Sequence, residues 1–131
     1  SATGNTETMA NCIAAGAGAN GTIMPCTEMT PAKLAEFDVV AFGCPAMGAE
    51  QLEESEFEPM FAALEGSLNG KKIALFGSYG WGDGQWMRDW AQRAQDDGAQ
   101  LFSEEGLICN ETPDDDVHAT CRKLGADLAA W

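Results

Sequence analysis

Basic residues are scarce in this chain: seven Lys and Arg stand against 21 Asp and Glu, a formal charge of −14 with the single His neutral. Such a surface repels nucleic-acid phosphate and anionic lipid within a Debye length and favours basic protein partners, so no nucleic acid is expected as a ligand. Long apolar runs are missing too. No window approaches the about 18 residues of a membrane span, and no basic segment leads into an apolar run at the N-terminus, so neither span nor signal peptide is expected. A cytoplasmic protein is the resulting expectation. Cys12, Cys26, Cys44, Cys109 and Cys121 are an odd set without any C-x-x-C, which suggests reduced thiols rather than a disulfide framework or zinc knuckle. His118 has no second ligand at helical spacing and reads as a surface or packing histidine, so no metal site is expected.

What is present is enough for a core: 131 residues, 45% of them apolar, fit one domain over 1–131. Short runs of Val, Ile, Leu and Phe alternate with segments of helical period, which predicts an α/β fold with a parallel sheet. Met9, Cys12 and Ile13 share a helical face, and the glycines of 16–21 end that helix near residue 19. Residues 22–26 are a weak strand candidate. Thr30 and Pro31 open a short helix reaching Phe37, followed by a buried strand at 39–42. A helix is predicted from Glu58 or Pro59 to Leu68, then the clearest strand, Ile73 to Phe76, ending in a glycine-rich loop. Trp86, Met87, Trp90, Ala91 and Ala94 form a helical stripe that Gly98 caps, and an interrupted strand runs through 101–102 and 107–108. Val117, Cys121, Leu124 and Leu128 mark a closing helix from about Pro113, with acidic residues in its first turn.

Three loops carry the chemistry. Ser1-Ala2-Thr3-Gly4-Asn5-Thr6 places hydroxyls and a glycine directly before a helix, which read alone is either an ordinary capped helix start or a site where backbone N–H groups and the helix dipole receive a phosphate. The strands at 39–42 and 73–76 end in Gly43-Cys44-Pro45-Ala46-Met47-Gly48 and in Gly77-Ser78-Tyr79-Gly80-Trp81-Gly82-Asp83-Gly84. Open α/β sheets bind ligands at such strand ends. Met47 and Trp81 offer polarizable and flat surfaces for an aromatic ring, whereas Trp86 and Trp90 fit a buried stripe and read as core. A phosphate loop beside a ring sandwich suggests a flavin mononucleotide. Cys44 adjoins it but reads as a buried small hydrophobe.

The segments T-G-N-T-E, F-G-C-P-A-M-G, L-E-E-S-E-F-E-P, G-K-K-I-A-L-F-G-S-Y-G-W-G-D-G and W-M-R-D run in order between residues 3 and 89. On them the chain resembles the short-chain, clostridial-type flavodoxins. The resemblance implies a flavodoxin-like, doubly wound parallel sheet of order 2-1-3-4-5, and FMN as cofactor. By it, Ser1, Thr3, Gly4, Asn5 and Thr6, with Ala2 between them, hold the phosphate; Pro45 and Ala46 lead to Met47, which flanks the isoalloxazine with Trp81. Ser78, Tyr79 and Gly80 line the ribityl chain and ring edge, and Glu50 faces the pyrimidine side. The peptide after Gly48 is implied to turn over on one-electron reduction and accept a hydrogen bond from flavin N5, which glycine permits.

The family carries an apolar first strand ahead of the phosphate loop, in the middle of the sheet, and none stands before Ser1 here. The resemblance therefore implies a sheet lacking its central rung, a gap of about 9.5 Å between neighbours. Re-pairing of 22–26 with 39–43, or self-association filling the slot, is expected to close it. The phosphate loop also carries Ala2 where the family usually has glycine, and Ala49 follows Gly48 where an acidic residue or serine often stands. The function implied is a low-potential, FMN-dependent one-electron carrier, not an enzyme, with redox protein partners of basic docking surface. Glu50, Glu53, Glu54, Glu56, Glu58 and Asp83 crowd the flavin side and make a further electron there unfavourable. A flavodoxin-like module that has lost FMN and serves only protein contacts, or an NAD(P)H:quinone reductase of the same fold, are the alternatives.

Overall fold

Alternation along one strand sets the layout. In the computed structural model, which describes residues 4–47, 52–80, 82–103 and 106–131, β2 (Lys72–Tyr79) is buried over its whole middle. Ile73 and Leu75 join one apolar cluster while Ala74 and Phe76 join a second, because successive side chains of a strand point to opposite faces. β1 (Val39–Gly43) divides the same way, with Val40 and Phe42 on the first face and Val39 and Ala41 on the second. β1 lies parallel to β2, with Val39 opposite Lys72 and Gly43 opposite Phe76.

The other edge of β2 is shared by β3 (Gln100–Leu101), which pairs with Lys72 and Ile73, and β4 (Leu107–Asn110), which pairs with Phe76 to Tyr79. This is the interrupted strand that the sequence predicts. From Leu101 to Leu107 is six steps, against three from Ile73 to Phe76, so three extra residues bulge out of the ladder.

Helices cover both faces. On the first lie α2 (Pro31–Leu34), α3 (Phe57–Leu64) and α4 (Gln85–Asp96), whose Leu34, Phe57, Phe61, Trp86 and Trp90 fill the larger cluster. Phe61 stands edge-on to Phe42 and to Trp90, with ring centroids 5.5 and 5.7 Å apart. The predicted stripe Trp86, Met87, Trp90, Ala91, Ala94 is the buried face of α4. On the second face α1 (Asn5–Ala17) and α5 (Asp115–Ala130) pack against each other and the sheet. Their crossing is close: a methyl at Gly16 would overlap the Arg122 carbonyl, and one at Gly125 the Ile13 carbonyl.

Several predicted boundaries shift. The helix expected to reach Phe37 stops at Leu34, where Lys71 Nζ donates to the carbonyls of Leu34 (2.9 Å) and Phe37 and so satisfies its end. α3 ends at Leu64, and a 3₁₀ turn over Glu65–Ser67 completes the expected span. β2 runs on to Tyr79, so Gly77 and Ser78 are strand, not loop. α5 begins at Asp115, its N-cap Asp114 accepting from the Val117 N–H at 2.9 Å.

The strand expected at 22–26 is a correction: 21–25 is irregular and Cys26–Glu28 is a 3₁₀ turn. Pro25 has no N–H to give a ladder, and among the described residues no strand pairs with the segment, while Ile23 is 55% exposed. Direct pairing of this segment with β1 is accordingly not found. Among the described residues, the edge of β1 facing away from β2 has no strand partner.

Candidate functional site

The N-terminus of α1 meets the carboxyl end of β2. Gly4, at φ 75°, is the N-cap, and among the described residues no side chain caps the helix, so none of them supplies the first-turn N–H groups with a capping partner. A left-handed conformation is natural for glycine and costs another residue strain. A Cβ built on Gly4 meets nothing within 4 Å, and the same holds for Gly80, so both loops offer open room beside bare backbone.

Thr6 ties the two loops together. Its Oγ1 lies 2.8 Å from Ser78 Oγ and accepts the Ser78 N–H at 3.3 Å, and both residues are buried, at 6% and 4% exposure. Across the sheet, the Cys44 N–H donates to the Phe76 carbonyl (3.1 Å) and the Ala46 N–H to the Ser78 carbonyl (2.9 Å), so β1's exit loop runs alongside β2 as far as Met47. Met47 is 44% exposed, one of three large apolar side chains left to solvent among the described residues. Tyr79 accepts the Glu111 N–H at 2.7 Å and lies against Trp86, ring centroids 5.4 Å apart.

Of the residues expected to hold the cofactor, Gly4, Asn5, Thr6, Pro45, Ala46, Met47, Ser78, Tyr79 and Gly80 are described. The contacts above link Thr6, Ala46 and Ser78 directly, and Gly4, Asn5, Pro45, Met47, Tyr79 and Gly80 adjoin them in sequence. Ser1, Ala2, Thr3, Gly48, Glu50 and Trp81 lie outside the described residues. An uncapped helix start, two glycine positions open to space and an exposed thioether on the same sheet edge fit a phosphate with an attached aromatic ring.

The acidic side of the site is less open than the charge run suggests. The Glu53 carboxylate accepts the N–H groups of Ser55, Glu56 and Phe57 at 2.7, 2.8 and 2.8 Å, and the Ser55 hydroxyl. It thereby caps α3. The Ser55 hydroxyl first, and then those N–H groups, pull its pKa down to about 2. Glu58 pairs with Arg93 at 2.8 Å and Asp83 with Arg88 at 2.9 Å, while Glu54 and Glu56 stay exposed. Burial pushes the Cys44 thiol up to about 12, so it stays protonated, in keeping with a packing role. Glu53's cap was missed in the sequence, although an acidic residue four before the first buried phenylalanine of α3 is a readable signal.

No helix among the described residues is long and apolar enough to cross a membrane, and no group of three or more His, Cys, Asp or Glu among them could hold a metal ion.

Comparison with known proteins bears on the same surface. The flavodoxin family model matches residues 1–124. The chain is similar to the flavodoxin of Megasphaera elsdenii, 47% identical over 98% of this chain and 93% of that protein. It is 41% identical to the Clostridium beijerinckii flavodoxin over 98% of this chain and 94% of the relative. Its structure matches the solution structure of two-electron-reduced M. elsdenii flavodoxin with a TM-score of 0.89, covering 100% of this chain and 95% of the other. With these matches spanning nearly its whole length, the chain belongs to the flavodoxin family.

Proposed function

We propose that this chain is a low-potential one-electron carrier that holds FMN at the edge where α1 meets β2. Flavodoxins are FMN-binding electron-transfer proteins rather than enzymes. The observation that carries the reading here is the junction of Thr6 with Ser78 beneath the uncapped start of α1. Bound there, FMN supplies the one-electron chemistry. The N–H groups of the first turn of α1, with the Thr6 hydroxyl, would hold the phosphate, with Ser1, Ala2 and Thr3 preceding them in the same loop, and Ser78 would line the ribityl chain. Met47 and Trp81 cover the ring faces and exclude water, and Tyr79, Gly80, Pro45, Ala46, Gly48 and Glu50 border it.

The charge of −14 makes a further negative charge at the ring unfavourable and keeps the potential low. The exposed Glu54 and Glu56 also favour redox partners with basic docking surfaces. A cytoplasmic setting agrees with reduced thiols.

A visible spectrum tests the proposal. The purified protein is expected to show flavin absorbance, or to gain it and quench FMN fluorescence on titration with FMN. A protein that neither carries flavin nor takes it up overturns the reading for this chain, leaving a fold used for protein contacts.

A further inference from the structure

We propose that Trp86 is a positioning residue for the cofactor loops, acting through the carbonyl of Cys44; the inference rests on the FMN reading above. Trp86 sits on the buried stripe of α4 at 1% exposure, where spacing alone accounts for its burial. Spacing does not account for its indole N–H. Trp86 Nε1 donates to Cys44 O at 3.3 Å, across 42 positions of sequence and at the point where β1 hands over to the Met47 loop.

The chemistry of that acceptor gives the bond its weight. Cys44 is followed by Pro45, so the peptide between them has no N–H, and its carbonyl is the one hydrogen-bonding group that can fix its orientation. The neighbouring units on either side are held by β2: Cys44 N–H to Phe76 O and Ala46 N–H to Ser78 O. Trp86 thus completes the pinning of a four-residue segment that ends at Met47.

The indole also touches the carboxyl end of β2. A Cβ on Gly77 would overlap Cys44 O and stand 3.2 Å from Trp86 Cζ2, so the absence of a side chain there lets carbonyl, strand and indole meet. The Tyr79 ring leans on the same indole with planes at 48°. The bond to Cys44 therefore couples α4 to the placement of the Cys44–Met47 loop and of the end of β2.

The test replaces Trp86 with benzothienylalanine, which keeps the shape of the indole and removes the donor, and in parallel makes Trp86→Phe. In flavin-free protein, amide exchange at Ala46 is expected to quicken about tenfold while Ile73 and Leu75 keep their protection. The FMN dissociation constant is expected to rise about tenfold, with a shift in midpoint potential. Unchanged Ala46 exchange in the folded isostere overturns the proposal. Faster exchange throughout the β2 core, in both variants, also overturns it, because that is the signature of packing alone. If wild-type protein takes up no FMN the cofactor reading fails, and Ala46 exchange still decides whether Trp86 sets the loop.

Discussion

Thr6 and Ser78, 72 residues apart in sequence, share a buried hydrogen bond of 2.8 Å that joins the start of α1 to the end of β2. Thr6→Val keeps the shape and removes the hydroxyl, leaving the Ser78 N–H without its acceptor. The variant is expected to lose about 1–3 kcal/mol of stability, the cost of unpaired buried groups. Denaturant unfolding of the flavin-free protein checks this, and FMN titration is expected to show weaker binding. Unaltered values in both would mean that the two loops are placed independently.

Met47 makes the opposite prediction. Its side chain is 44% exposed, so Met47→Ala is expected to leave the flavin-free protein within about 0.5 kcal/mol of the original. FMN binding is expected to weaken by about 1 kcal/mol as the sulfur–aromatic contact is lost. A drop in stability with unchanged affinity would place Met47 in the core instead of at the ring.

Two carboxylates give stability a pH profile of opposite slopes. Glu53 has its pKa lowered from 4.5 to about 2 by the Ser55 hydroxyl and the N–H groups it caps, so the unfolded chain binds the proton more readily. Its contribution is present above about 4.5 and is lost as pH falls towards 2. Asp97 is raised from 3.8 to about 6 by burial and then by Glu65, against the opposing charge of Arg93 and with Asp96 adding to the rise. Its Oδ2 is buried without a hydrogen-bond partner among the described residues. That contribution is present below about 3.8 and is lost as pH rises through 6. Melting temperature is thus expected to peak where the two windows overlap, between 3.8 and 4.5. Glu53→Gln should flatten the acid limb and Asp97→Asn the limb towards pH 6.

Much of this arrangement was legible in the sequence where one force dominated. The run Ile73 to Phe76 could only be a strand buried on both sides, and the spacing of Trp86, Met87, Trp90, Ala91 and Ala94 could only be one helical face. Residues 22–26 misled because Thr22 and Ile23 have strand character while pairing depends on a neighbour that no local property reveals. Gly77 read as the start of a loop, yet it belongs to β2 and is there for the close passage of Cys44. Glu53 and Trp86 exposed a different limit. Charge runs and apolar stripes predict which side a residue faces, not which backbone group its polar atom finds.

The crossing of α1 over α5 turns the back of the molecule into a fulcrum. Gly16 and Gly125 let the two backbones touch near Ile13, and from there α1 runs nine residues to Gly4, about 14 Å at 1.5 Å per residue. A rigid helix levered at that contact moves its tip by a comparable or larger distance than the wedge that tilts it. A single methyl at Gly125, on the far helix and remote from the strand-end loops, is therefore expected to swing the Gly4–Thr6 end, where the phosphate is proposed to sit. The aim of that proposed site is set, in this geometry, by how little matter stands between two helices behind it.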